Sequence, residues 1–519
     1  MMWLIALLLG LFLPDPAAAG PVATAISVAL AASSAGAGFG AAIAAGFGAL
    51  STTFVGKLIV GAALTLVGQL FRKKPKGIRD GGIQTEQTTT GDITPQKFVV
   101  GRYGLEGHAV APAYSRGPNN RILTYILEIS NVPITGLTDR IIIDGQYTEI
   151  GEPDEDGTRE LTGLQNAGAA RAWIRFYDGT QTTADAGLVE AYSDHPDRPW
   201  TTDHVLHGSA YAVLEFRRDQ NVFPGLPSVR FEVDGIRLYD PREDSSVGGQ
   251  GTQRWDDPST WAGTRNPQVI KYNIFRGITL PTGDVYGGGS DAEDLPLDNW
   301  FAAMNECDVL IGGRPQFEAG FEINTNDMTP LDVIEEMDRA CFGQTSEFGG
   351  VWRTRTGAPG TPVMSLTDDD FMITEPSDLE PFPGLANTFN AATGSFVDPA
   401  SVWESREADA VINLDWEADD GNRRLPRAIN LPAVSNNSQA QHLLESYIKD
   451  SRRFRTHSMT LPPSFALLEP LDTLTWTSAE NGYDAKVFEV VEVEDRPANL
   501  TQRVKVRERE PGDVAWTSG

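Results

Sequence analysis

From Met1 to Gly56 the chain carries a single ionisable side chain, Asp15. The apolar character continues to Phe71, where a basic cluster, Arg72, Lys73, Lys74 and Lys76, closes the segment. So long an apolar leader needs cover, either from lipid or from other protein. "MMWLIALLLGLFLPDPAAAG" has the apolar core and A-x-A-like site of a secretory signal, with cleavage near Gly20. Against that reading, no Lys or Arg precedes the core, and the apolar run resumes at Pro21. "KLIVGAALTLVGQLFRKKPKG" ends as a membrane stop does. Gly36, Gly40, Ala44 and Gly48 form an i, i+4 seam on a helix, where a second helix approaches closely. Such a seam serves a membrane span or a bundle of identical helices inside a protein cavity.

Beyond Lys76 the chain becomes acidic and turn-rich. Its 519 residues exceed one hydrophobic core and imply three or four domains, while 52 Gly and 33 Pro point to many turns. The net charge of -29 argues against a nucleic-acid-binding surface, which needs a basic stripe to release phosphate counterions. It suits solubility, or a wall that must not hold DNA.

"KFVVGRYGLEG", "RILTYILEIS", "DRIIIDGQYTEIG" and "YAVLEFRRD" are short β-branched and aromatic runs bounded by Gly and Pro, and read as strands. In "SVRFEVDGIRLYDPR", Val229, Phe231 and Val233 alternate with charges, and Asp234–Gly235 predicts a hairpin turn into Ile236 and Leu238. Helices are expected from Asn266, which caps before Pro267, to Gly277; from Leu297 to Asp308; and after Thr329–Pro330. The last has a stripe of Leu331, Ile334, Met337 and Cys341. Cys307 and Cys341 fall on apolar stripes and read as buried free thiols. A Ser438/Gln441 capping box opens a helix through Ala440, Leu443, Leu444, Tyr447 and Ile448. Strands "RTHSMTL", "DTLTWTS" and "KVFEVVEVEDR" follow, the last two joined at Asn481–Gly482.

The chemistry-bearing residues assemble no active site. His204 and His207 give H-x-x-H in an extended segment, which puts them on opposite faces, and no HExxH helix, Walker loop or G-x-S-x-G occurs. The clusters Asp154–Gly157, Asp368–Asp370 and Glu417–Gly421 lack the full calcium-loop pattern and read as solvated turns. No catalytic residue, metal ligand or cofactor is nominated.

Residues Ala169–Arg242, with "FYDGTQ", "HGSAYAVLEF" and "GLPSVRFEVDGIRLYDPR", followed by "NPQVIKYNIFRG", resemble the hub or tip-attachment proteins of long-tailed bacteriophages. These form the group of the lambda-like host-specificity protein J. The order and spacing of these segments carry the resemblance, which covers roughly residues 90 to 510, including "SQAQHLLESYIKDSRR". It implies hub-like β-barrel or sandwich domains with α+β parts; together with the strand runs and composition above, the expected fold is mainly β and multidomain, preceded by the apolar, Gly/Ala-rich helical segment read from the leader itself. The expected division is residues 1–76 as leader, 77–150 with 205–260 as first β domain and 151–204 as an insertion. An α+β domain, 261–386, and a second β domain, 387–519, complete it.

The resemblance further implies a homotrimer closing the tail tube at the tail tip of the virion. Expected partners are the distal tail protein hexamer, the tape-measure C-terminus, tail fibre or spike proteins, and the host membrane. DNA would pass through the lumen without specific binding. The chain ends at Gly519 without the long extension of larger relatives, so separate fibres or spikes are expected to read the host. In a trimer the leaders would meet on the axis through Gly36, Gly40, Ala44 and Gly48, as a plug or membrane-entering segment. Two other classes compete: a membrane-anchored or secreted bacterial β-rich binding protein, and a tail-associated cell-wall hydrolase.

Overall fold

The computed structural model describes residues 96–223, 225–382 and 388–516. The leader and its seam, Gly36, Gly40, Ala44 and Gly48, lie outside them. The described fold is mainly β, with three successive helices in its middle third and a longer one in its C-terminal part.

A 12-stranded sheet dominates the N-terminal part. Its main strands are β1 (Lys97–Leu105), β2 (Ile122–Ser130), β3 (Ile134–Ile143), β4 (Gln146–Pro153), β5 (Arg159–Leu161), β6 (Ala172–Tyr177), β7 (Ala210–Arg217), β8 (Val229–Leu238) and β9 (Gly320–Asn324). They run in the order β9-β1-β8-β3-β4-β5-β6-β7-β2. β7 shows why so apolar a run forms here. Ala212, Leu214 and Phe216 enter the main core, while Tyr211 and Val213 lie under the short helix α1 (Ala186–Tyr192) with Leu188 and Trp200. A strand covered on both faces loses the polar alternation of a half-exposed one.

Two Asp–Gly pairs separate local preference from tertiary context. Asp144 and Gly145 take φ values of 50° and 75° and turn β3 into β4, as a two-residue hairpin requires. Asp234–Gly235 makes no turn, contrary to the sequence expectation; β8 runs straight through it. Arg102 Nε and Nη2 donate to the two Asp234 carboxylate oxygens at 2.8 and 2.6 Å, holding it in register opposite β1. At Gly235 an added Cβ would fall 2.2 Å from the Val99 carbonyl oxygen, so glycine is needed here for close strand approach rather than for a turn.

Helices α2 (Pro267–Arg276), α3 (Leu297–Cys307) and α4 (Pro330–Ala340) pack beneath the sheet. Asn266 caps α2 by accepting from the Gln268 and Val269 amides, and Thr329 with Asp332 forms a capping box on α4. Of the expected α4 stripe, Ile334, Met337 and Cys341 are buried, with Val333 and Ala340 beside them, whereas Leu331 is exposed.

The C-terminal part holds β10 (Met364–Thr367), β11 (Asp378–Glu380), a ribbon of β12 (Ser395–Asp398) and β13 (Glu404–Glu407), helix α5 (Asn437–Ser451), and strands β14 (Thr456–Leu461), β15 (Thr473–Ser478), β16 (Tyr483–Arg496) and β17 (Thr501–Glu508). The cap of α5 is Asn436, not Ser438. The six-stranded sheet runs β10-β15-β16-β17-β14-β11 and encloses its own core of Leu366, Met459, Leu474, Trp476, Phe488, Val490, Val504 and Val506. Helix α5 instead buries Ala440, Leu443, Leu444 and Ile448 in the main core.

Candidate functional site

The residue types that carry chemistry are used structurally. His195 Nδ1 accepts the amides of Asp197 and Arg198, His204 Nδ1 accepts the Thr201 amide, and His207 Nδ1 donates to Gln181 O. Thus His204 and His207 engage different partners. Asp154 Oδ1 accepts the amides of Asp156 and Thr158, closing its own turn. Asp368 accepts from Trp476 Nε1, and Asp420 binds Arg452 at 3.0 Å. Among the described residues no three His, Cys, Asp or Glu side chains group as a metal site. An open hollow of about 240 Å³ beside α4 mixes Glu335, Asp338, Arg339 and Arg427, without a nucleophile–base pair.

What the fold builds instead are two joints that fix the C-terminal part on the rest. In the first, Trp403 at the end of the β12–β13 loop lies on the β1–β8 pair. An added Cβ at Gly104 would fall 2.0 Å from Trp403 Cγ, so the bare glycine backbone forms the seat. Opposite Gly104 stands Glu232, whose Oε2 accepts from Trp403 Nε1 at 2.8 Å and pairs with Arg140 at 2.9 Å. Tyr147 Oη donates to Pro399 O at 2.5 Å and Arg230 Nη1 to Val402 O at 2.5 Å. These contacts hold Val402 and Trp403 at φ values of 52° and 64°, a region costly for a β-branched residue. Gly104→Ala should push the ring off its seat and destabilise the fold by about 1–3 kcal/mol. Urea unfolding, together with Trp fluorescence, measures this; an unchanged midpoint would mean the ring can move freely.

The second joint is a buried ion network between the two cores. Glu489 of β16 is fully buried, with Arg509 Nε at 2.7 Å from Oε2 and Arg355 Nε at 2.6 Å from Oε1. The Arg355 contact is an ion pair whose angle makes no hydrogen bond. Arg509 also pairs with Asp450 at the end of α5, which Arg507 binds at 2.8 Å. Gln344 Oε1 accepts from both Arg355 and Arg509 at 3.1 Å. Burial works to raise the Asp450 carboxyl, yet Arg509 and Arg507 hold it below its ordinary range. Burial lowers Arg355, which has fewer compensating partners than Arg509. Arg353 and Glu469 add an outer pair at 2.6 Å. Nothing in the local pattern of "KVFEVVEVEDR" marks Glu489 as buried, since its partners Arg355 and Arg509 lie outside that strand.

His442 and His457 are buried and bring a pH dependence. Burial, and then Lys449, pushes His442 down to about 4; burial, and then Arg455, does the same to His457. His442 stacks on Trp516 with centroids 4.0 Å apart, and His457 Nε2 contacts Tyr483 Oη at 2.9 Å. A folded-state value below the unfolded value of about 6.5 means that the unfolded chain binds protons first. Stability is therefore full above pH 6.5 and falls as pH drops towards 4, by roughly 1–3 kcal/mol per histidine. Unfolding at pH 7, 5.5 and 4.5 should show that decline; a flat profile would contradict it.

The two joints thus brace one β body on another through buried ion pairs and a seated tryptophan. Residues 329–493 match the family described as "Putative phage tail protein". That stretch, under half of the chain, is thus similar to phage tail proteins. The chain is also 23% identical over 317 residues to the baseplate hub protein pb3 of Escherichia phage T5. That match covers 57% of this chain but 31% of the relative, so the chain spans less than a third of that protein's length. In fold, it is similar to a chain of the virion of a native gene transfer agent particle. The TM-score is 0.56 at 15% identity, covering 89% of this chain and 98% of that one.

Proposed function

We propose that the chain is the structural hub of a bacteriophage tail tip, akin to the lambda-like host-specificity group. In this reading it is a non-enzymatic homotrimer that closes the tail tube, joins the distal tail ring to fibres or a spike, and opens for DNA ejection. The observation that carries it is the 317-residue similarity to a baseplate hub protein. The joints at Trp403 and Glu489 support it, because a hub must carry load between its β bodies without coming apart. The net charge of -29 supports a lumen that lets DNA pass without binding it.

The leader then acts as axial plug, as a membrane-entering segment, or as both, packing through Gly36, Gly40, Ala44 and Gly48 and meeting the tape-measure C-terminus. Gly40→Leu would wedge such helices apart. Particles carrying it should leak DNA or bind cells without injecting, as a plaque assay and a DNA-release assay report. Light scattering of the full chain, alone and with the distal tail ring, tests the assembly. A trimer supports the hub; a monomer even with that ring present refutes it.

A further inference from the structure

In a chain with 71 acidic against 42 basic residues, the segment from Arg423 to Arg455 reverses the balance, with seven Lys or Arg against two acids. Most of these cations are engaged within the fold. Arg424 pairs with Glu417 at 2.9 Å, Arg452 with Asp420 at 3.0 Å, Arg453 with Asp513 at 2.6 Å and Arg455 with Glu508 at 3.2 Å. Arg423 and Arg427 differ: both are exposed, and among the described residues neither forms an ion pair. Arg423 Nε donates to the Asp420 carbonyl at 3.0 Å, and the Arg427 guanidinium lies 5.1 Å from the centre of the Phe389 ring. The next residue, Asn390, ties this stretch down: its Nδ2 donates to Arg423 O and its Oδ1 accepts the Leu425 amide, both at 2.8 Å. Pro426–Ala428 is an edge strand, paired on one side with Ala391–Thr393, and all three of its residues are exposed. Arg427 also lines the hollow of about 240 Å³ beside α4, where Lys271 and Thr345 already hold Asp338 and Glu336 holds Arg339. An open strand edge flanked by two uncompensated guanidinium groups suits an extended segment that carries carboxylates.

We infer that Pro426–Ala428, with Arg423 and Arg427, docks an acidic face of a second copy of this chain. The inference rests on the homotrimer reading above. A three-fold ring is heterologous, so each copy presents two different faces that must complement one another. Copies with a net charge of -29 repel one another unless a basic face is set against an acidic one. Arg423 and Arg427 supply the basic face, and the chain's surplus carboxylates supply the other. Facing a neighbour also turns these arginines away from a lumen that DNA must pass without binding. Charge pairs of this kind fix the register of the copies and make their association sensitive to salt.

The test uses the full chain, with the distal tail ring added where the trimer needs it, and light scattering to report the trimer. Arg423→Lys and Arg427→Lys keep the charge and add an amine that a carbodiimide joins to a carboxylate in direct contact. In trimers assembled from isotopically light and heavy chains, peptide mass spectrometry should find light–heavy cross-links from position 423 or 427 to an Asp or Glu. The unsubstituted chain should give none there. The double reversal, Arg423→Glu with Arg427→Glu, should raise the trimer dissociation constant about tenfold or more and leave the circular dichroism spectrum unchanged. A trimer that yields no light–heavy cross-link at either position, or that withstands the double reversal, would overturn this inference and leave the hub reading standing. A chain that stays monomeric even with the tail ring would overturn both.

Discussion

Lys271→Met should destabilise the protein by about 3 kcal/mol, among the largest single-site losses expected here, because it strips the partner from a carboxylate in the α2–α4 interface. Lys271 has no solvent exposure, and its ammonium uses three donors: to Asp338 at 2.5 Å, Thr354 at 2.5 Å and Thr345 at 2.9 Å. Thr354 Oγ1 passes the chain on by donating to Gln268 at 3.0 Å. The Asp338 side chain is 16% exposed beside the open hollow, so water can partly replace the lysine. That places the loss at the lower end of the roughly 3–5 kcal/mol typical of a broken buried pair. Adding Asp338→Asn should recover part of it, since the orphaned charge is then gone. Urea unfolding of the single and double variants measures both; a single-variant loss below about 1 kcal/mol would mean the pair is effectively solvated.

Glu489→Gln should cost about 3–5 kcal/mol and act mainly on one part of the molecule. The substitution keeps the shape but leaves Arg355 without its carboxylate, while Arg509 retains Asp450. The apolar core of the six-stranded sheet is separate from the main core, and this network is one of the links between them. Hydrogen exchange should accelerate across β14 to β17 more than across β1 and β8. Uniform acceleration, or none, would show that the network does not couple the two cores.

Much of this fold was legible locally. The Asn266 cap, Pro267 and the Gly277 stop, with φ 96°, stood in the sequence as they stand in the structure, because each solves a backbone problem within one turn. The turn before β16 was readable for the same reason: Gly482 has φ 67°. Asp234–Gly235 misled because its glycine answers a neighbouring strand, and no local pattern records that neighbour. β17 went unread although Gln502, Val504, Val506 and Glu508 alternate inward, since half of those inward positions are polar and look exposed. The joints were invisible for a related reason. Trp403, Gly104 and Glu232 come from three distant segments, and Glu489 looks like any charge on a strand until Arg355 and Arg509 arrive.

The central claim is that this chain forms the hub at the end of a phage tail, and cryo-electron microscopy of the intact particle tests it most directly. The account predicts three copies around the tube axis at the tail tip, with residues 96–516 forming the ring wall and the Trp403 and Glu489 joints intact. Particles lacking the chain, or carrying it away from the tail tip or in another number of copies, would contradict it.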